Sequence, residues 1–447
     1  MLELLDLIRP AFTEPTFVNL IVVFSGWVLT PGRHAVTESL VQTGVSGFFH
    51  HQAFHRVFSR AQWSADEVGR LVFRIADVLT GGQVRIAIDD TVARGKGPNV
   101  FGLGCHLDAS RSTRRFKVFT FGHCWVVLAL VVQVPFSKRP WALPILFRLY
   151  RNKSECKKAG AKHRTKTAFA RELLDLFMTW VPHDQRVILC GDSAYCCKQV
   201  LRGQAFERLI VLGAMAINVA LYGPAPAERT GRKGRPRRRG DRLPSLATWA
   251  ADNSEGRGWQ DCTAYVYQET KTLQCKTLAC CWPSVLGAHL LRVVLVQCTD
   301  GGLPFRTYFC TDPTLSVQQI LEGYARRWSI EVCFRDLKQH FGFADSSARS
   351  QKAVLRTAPF IGLAYSLLVI WFAKSSEARN ALVLPVRPWY SHKEGFSFLD
   401  ILRAAQSELR RTDFRVQVAK HRLPSKISGR HQHRAATLPE QPERKAA

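Results

Sequence analysis

Apolar positions along the chain change period several times, and each change predicts a change of element. Over residues 1–80 they recur at helical spacing. Ser64 stands as an N-cap ahead of Asp66 and Glu67, and Leu71, Ile75 and Leu79 follow on one stripe before Gly81-Gly82 ends the helix. Residues 84–88 are then a short β-branched run that ends at Asp89-Asp90-Thr91, a strand delivering carboxylates at its C-terminal tip, and a glycine-rich loop spans 95–104. Residues 125–134 are almost continuously apolar, the pattern of a strand buried on both faces. A helix is expected over 166–180, with Phe169, Leu173, Leu174 and Phe177 turned inward, and residues 187–192 form a second buried strand that ends on Asp192. Strands alternating with helices, with acids at the strand tips, indicate an α/β sheet whose site lies at its carboxyl edge.

Between residues 216 and 312 that rhythm breaks. Eight of the fourteen residues from Arg229 to Arg242 are Arg or Lys, and their Pro and Gly neighbours exclude a regular element. Residues 263–268, 291–298 and 306–311 read as strands, so a β-rich insertion is expected here. Helical spacing resumes at Ser316 and continues, with breaks, to about residue 402, and beyond Arg415 the chain is basic and poor in large apolar residues. The apolar runs 18–29 and 359–372 fall short of the roughly 20 residues that span a bilayer and read as buried core helices.

Composition changes this picture in one respect. The 447 residues are 46% hydrophobic and 22% charged, ordinary for a globular chain, but 63 Lys and Arg against 35 Asp and Glu leave a net charge of +28. Such a balance points to a polyanionic partner, nucleic acid first, because each Lys or Arg that meets a phosphate releases condensed counterions. The thirteen cysteines contain no Cys-x-x-Cys pair, which excludes a zinc ribbon or a thioredoxin-like motif; they read as reduced thiols. The first residues carry Glu3, Asp6 and Glu14 and no basic run, so no secretory leader is expected. Gly95-Lys96-Gly97 lacks the spacing of a phosphate-binding loop, and His51 and His55 have neither an intervening Glu in the protease position nor a third ligand.

The most informative segment runs from Tyr324 to Lys338. At about 100° per residue, Tyr324, Arg327, Glu331 and Lys338 share roughly a 60° sector of a helix, beside a core stripe of Ile330, Phe334, Leu337 and Phe341. By itself this is also the pattern of a solvated amphipathic helix with an Arg327–Glu331 ion pair.

The order Tyr, two residues, Arg, three residues, Glu, six residues, Lys resembles the signature of the DDE transposases of insertion sequence family four, and Trp328 after the Arg is similar to family usage. Ile88-Asp89-Asp90-Thr91 resembles the family's first-Asp motif, and Gly191-Asp192-Ser193-Ala194-Tyr195 its second. The resemblance implies an α/β, ribonuclease H-like catalytic core interrupted by a β-rich insertion. The expected domains are a helical DNA-binding region over 1–80, core over 81–215, insertion over 216–315, core again over 316–375, and a helical region with a basic tail over 376–447.

The implied chemistry is phosphodiester hydrolysis at transposon ends followed by transfer of the 3′-hydroxyl into target DNA. Two Mg²⁺ or Mn²⁺ ions would be held by carboxylates of Asp90, Asp192 and Glu331. Consecutive strand residues point to opposite faces, so Asp89 competes with Asp90, and the Asp-Thr step of the motif favours Asp90. Tyr324, Arg327 and Lys338 are implied to grip the transposon end, Arg327 through a bidentate fork and Lys338 as a point charge. Several relatives stack a flipped base on a Trp upstream of the signature; here that stretch reads Phe305-Arg306-Thr307-Tyr308-Phe309, with Tyr308 the candidate substitute. Lys233-Gly234-Arg235-Pro236-Arg237 resembles an AT-hook, which would lay Arg235 and Arg237 in a narrow minor groove.

The implied partners are double-stranded DNA, both terminal inverted repeats and target, and a second copy of the chain at synapsis. A membrane is not expected as a partner, and the implied place is the bacterial cytoplasm at the nucleoid. A structure-specific nuclease on the same fold, or a non-catalytic DNA-binding derivative of a transposase, are the rival readings.

Overall fold

A computed structural model describes residues 1–97, 99–108, 111–113, 115–226, 239–298, 304–383 and 395–422. Its frame is one mixed sheet of ten strands. These are β1 (Val84–Arg94), β2 (Gly104–Leu107), β3 (Phe119–Val132), β4 (Trp141–Tyr150), β5 (Val187–Gly191), β6 (Leu209–Ala214), β7 (Gln260–Val266), β8 (Glu269–Cys281), β9 (Leu290–Gln297) and β10 (Phe305–Cys310). The spatial order is β2-β3-β1-β5-β6-β10-β9-β8-β7, with β4 paired to the remaining length of β3. β1, β3 and β4 form an antiparallel meander, β5 and β6 run parallel to β1, and β10 returns antiparallel on β6. The chain is thus mixed α/β, as its pattern predicts.

Strands expected within 216–312 are present, but they hydrogen-bond onto β6 and lengthen the same sheet. β8 is a strand that the sequence pattern does not predict. Its apolar residues are interrupted by Lys271, Gln274 and Lys276, and the last of these is buried because its ammonium donates to the carbonyls of Trp249, Ala250 and Asp252 at the end of a short helix.

Helices close the sheet. α1 (Glu14–Leu29) and α6 (Gln351–Lys374) are the two apolar runs, and both are core elements. α6, at 24 residues with 94% of its most apolar window buried, is the one described helix long and apolar enough to cross a membrane. Its Ser366 hydroxyl donates to the Pro144 carbonyl on β4 at 2.9 Å. α2 (Ala65–Ala76) begins at Ser64, whose hydroxyl accepts from the Glu67 N–H. It approaches β4 so closely that a Cβ at Gly69 would collide with the Ile145 carbonyl. α3 (Lys166–Trp180) packs on β3 and β4 with Leu173, Leu174 and Phe177 buried.

The segment from Tyr324 to Lys338 is two helices, α4 (Val317–Ala325) and α5 (Trp328–His340), where the pattern predicted one. The turn between them tightens: the Arg327 N–H donates to the Tyr324 carbonyl and the Ile330 N–H to that of Arg327, three residues back rather than four. The core stripe behaves as expected, with Ile330, Phe334, Leu337 and Phe341 all buried. α7 (Phe398–Leu409) starts with a reciprocal cap between Ser397 and Asp400. The basic tail from residue 423 on lies outside the described residues.

Candidate active site

Strand register decides which acids meet. In the parallel pairing of β1 with β5, Ala87 lies opposite Cys190 and Ile88 opposite Gly191. Residues in register share a face, so Asp89, two beyond Ala87, emerges beside Asp192, two beyond Cys190. That face is covered by α4: the Cys190 thiol donates to the Gly323 carbonyl at 3.3 Å. Asp192 is fixed in the turn after β5 by accepting from the N–H groups of Ala194 and Tyr195 at 3.0 and 3.1 Å. Burial, reinforced by the Asp192 charge, pushes the Asp89 carboxyl up to about 7; the Asp90 N–H, at 2.7 Å, and Arg327 only partly offset this.

The α4–α5 turn brings a guanidinium to that pair. Arg327 donates from Nη2 to Glu331 Oε1 at 2.7 Å, and its Nη1 lies 3.6 Å from Asp89 Oδ2. Its Nε is buried with no partner among the described residues. Burial works against the Arg327 charge, but Tyr324, Glu331 and Asp89 outweigh it and hold the group protonated more firmly than usual. Glu331, in the first turn of α5, also sits where a helix N-terminus favours a negative charge. Tyr324 stands next to the guanidinium, 5.7 Å from ring centroid to Cζ, and packs on Tyr308 with centroids 4.7 Å apart.

Asp90 belongs to the other face. Its Oδ2 accepts from the Lys166 ammonium at 2.6 Å, its Oδ1 from the Tyr195 hydroxyl at 2.6 Å, and the Cys124 thiol is 3.5 Å away. Burial, with the Asp90 charge second, pushes the Cys124 thiol up to about 12. Lys166 is the first residue of α3, the helix that packs on β3 and β4, and its ammonium also lies 5.6 Å from the centre of the Tyr150 ring on β4.

The sequence pattern therefore places Asp90 with Asp192 and Glu331, while the structure gives that company to Asp89. The pleat sorts the two neighbours, and motif spacing carries no information about which way a strand faces. Among the described residues no group of three His, Cys, Asp or Glu side chains is gathered as a metal cage. Two of the acids on this side, Asp89 and Glu331, instead flank Arg327, and Asp192 adds its charge beside Asp89.

The other expected residues divide. Tyr324, Arg327 and Glu331 do come together, whereas Lys338, two turns beyond Glu331 on the last turn of α5, stands near the charges of Asp108, Arg94 and Asp90 instead, and burial pulls its ammonium below the usual range. Arg235 and Arg237 lie outside the described residues. Sequence reasoning missed Lys166 as a partner of Asp90, since nothing marks it but the N-cap Thr165 before it. Tyr195 stood in the second acidic motif without an evident task.

Residues 9–272, more than half of the chain, match the family described as DDE superfamily endonuclease. The match takes in Asp89, Asp90 and Asp192 and ends before Glu331. Among solved structures, the cryo-EM structure of a piggyBac transposase synaptic complex with hairpin DNA is similar at a TM-score of 0.41 and 10% identity, covering 94% of this chain and 78% of that one. No curated protein matches the sequence.

Proposed function

The chain belongs to the DDE superfamily endonucleases, and on that premise we propose that it is a DNA transposase. It would hydrolyse the phosphodiester at the ends of its element and join the freed 3′-hydroxyl to target DNA, by a cut-and-paste route. The Tyr324-Arg327-Glu331-Lys338 signature supports placing it with insertion sequence family four. The β1–β3–β4 meander continued by parallel β5 and β6 supports reading this part of the sheet as a ribonuclease H-like core, with β7–β10 as the insertion at its edge.

The observation that carries the reading is the clasp of Arg327 between Glu331 and Asp89 on the face shared with Asp192. The family generally uses divalent metal ions. Carboxylate oxygens of Asp192, Glu331 and one aspartate of β1 are the hard donors that Mg²⁺ or Mn²⁺ takes, and the raised Asp89 marks negative charge that the chain only partly offsets. A pair of such ions, when bound, would activate water and stabilise the charge that develops at phosphorus. Shared register with Asp192 favours Asp89 as the first donor. The motif match favours Asp90, which would have to give up Lys166 and Tyr195 to join.

The chain's own groups supply the grip on DNA. Once turned from Glu331 and Asp89, the Arg327 fork suits two phosphate oxygens, Tyr324 and Tyr308 form an aromatic wall beside it, and Lys338 adds a point charge. Arg235 and Arg237 would follow the minor groove of A·T-rich flanks. Synapsis of two ends makes the working form a homodimer on double-stranded DNA, in the bacterial cytoplasm.

The test is incubation of the purified protein with Mg²⁺ and a plasmid carrying the inverted repeats that bracket its reading frame, followed by pre-cut ends and a target. Nicking and joining are expected. Nicking without joining makes it a structure-specific nuclease, and binding without nicking under Mg²⁺ or Mn²⁺ makes it a DNA-binding derivative.

A further inference from the structure

A second cleft opens on the far side of Trp328 from Arg327. It has a volume of about 360 Å³, within the roughly 300–1,000 Å³ of small-ligand sites, and lies between the β7–β8 hairpin, the connection from β3 to β4, the first turns of α5 and residues 395–397 ahead of α7. Three aromatic side chains stand at it with unusual exposure for their type: Tyr265 at 41%, Tyr267 at 50% and Trp328 at 49%. Tyr267 and Trp328 meet edge to face at 6.3 Å.

The hairpin is built to present them. Tyr267 and Gln268 form its two-residue turn with φ of 54° and 72°, the type I′ geometry that Asn and Gly adopt easily and a tyrosine does not. Glu322 of α4 pins the hairpin by accepting from the Tyr265 N–H at 3.0 Å.

The cleft is also cationic. Among the described residues, Arg139, Arg326 and Arg335 line it, with Glu322 the one acid. Arg326 has no acidic partner among the described residues, and Arg335 reaches Asp336 only at 3.3 Å while remaining 58% exposed. Burial, and among its neighbours Arg335, pull the Arg139 guanidinium below its usual range, although Tyr365 and Asp336 resist this. At the floor, Ser329 is 5% exposed and its hydroxyl has no partner among the described residues. Flat aromatic faces, guanidinium groups and an unused buried hydroxyl together match a nucleotide better than an acidic peptide, which would need no stacking surface. A base must be unpaired to offer both faces, so paired DNA does not fit between these rings.

Trp328 and Tyr267 also line the neighbouring cleft that holds Tyr308, Tyr324 and Arg327. We propose that the Tyr265–Tyr267–Trp328 cleft binds an unpaired nucleotide of the DNA strand that passes over Trp328 from the Asp89–Glu331 site, with Arg326 and Arg335 on its phosphate. This rests on the reading of the chain as a DNA-processing enzyme and adds a single-strand subsite to it.

The test measures binding of fluorescent oligo(dT) and of a duplex of equal length to the full chain, without divalent metal so that cleavage plays no part. Tyr265→Ala/Arg335→Ala should weaken oligo(dT) binding about 10-fold or more, given that one stacked base is commonly worth 5- to 100-fold, and leave duplex binding within about 2-fold. Arg335→Lys should retain most of the affinity. Photocrosslinking of 5-iodouracil oligonucleotides to the unaltered protein should label Trp328, Tyr265 or Tyr267, a readout that needs no variant to fold. Equal loss on both probes, no loss on either, or crosslinks elsewhere would overturn the subsite. If the protein nicks its element ends while oligo(dT) ignores these variants, the subsite fails alone; if it binds neither probe, the DNA-processing reading fails first.

Discussion

On one face of β1, Asp89 meets a second acid, Asp192, and shares a single guanidinium with Glu331; one residue on, across the sheet, Asp90 is held at 2.6 Å by both an ammonium and a phenol. The first carboxyl is pushed up to about 7 by burial and by its neighbour, while the second has donors on both oxygens. The same residue type at adjacent positions is thus under-compensated on one side and satisfied on the other. Folds keep an under-compensated acid where something else is to supply the charge, and a satisfied one where the chain itself needs the bond.

The largest way to sharpen this contrast is removal of the partners on the Asp89 side. Asp192→Ala and Glu331→Ala should each cut end nicking by roughly 10⁴-fold, the scale on which one member of a concerted set is lost. Binding to the duplex should persist, as an electrophoretic shift assay would show.

On the other side the effect should appear in stability. Lys166→Met removes the cation from a half-buried pair and should cost about 1–3 kcal/mol, between the values for exposed and buried ion pairs, read as a lower midpoint in denaturant. Tyr195→Phe removes one hydroxyl donor to Asp90 and should cost about 1 kcal/mol with nicking unchanged. Lost nicking at unchanged stability in either variant would break the division of labour. The smallest effect is Asp89→Asn, which relieves repulsion with Asp192 and should leave the metal-free fold as stable as before or more stable by up to about 1 kcal/mol in the same titration.

Much of this was legible from pattern. The apolar runs around residues 84–88 and 187–191 are the adjacent parallel strands, Asp192 ends the second, and the stripe from Ile330 to Phe341 is buried as its spacing required. What sequence could not carry was direction. Motif spacing brought Asp89 and Asp90 to the same tip but not to a face, and only the register with β5 separates them. The break between α4 and α5 escaped because Arg326 and Arg327 are good helix formers, and the tight turn is a product of tertiary packing. β8 escaped because Lys276 reads as surface until the carbonyls it caps are known.

The most direct measurement pairs Asp89→Ala with Asp90→Ala, scoring each for nicking of the element ends under Mg²⁺ and for its denaturation midpoint. The clasp geometry predicts that Asp89→Ala abolishes nicking at an unchanged midpoint, while Asp90→Ala lowers the midpoint by freeing Lys166 and Tyr195. Nicking retained by Asp89→Ala, together with nicking lost by Asp90→Ala at full stability, would contradict it.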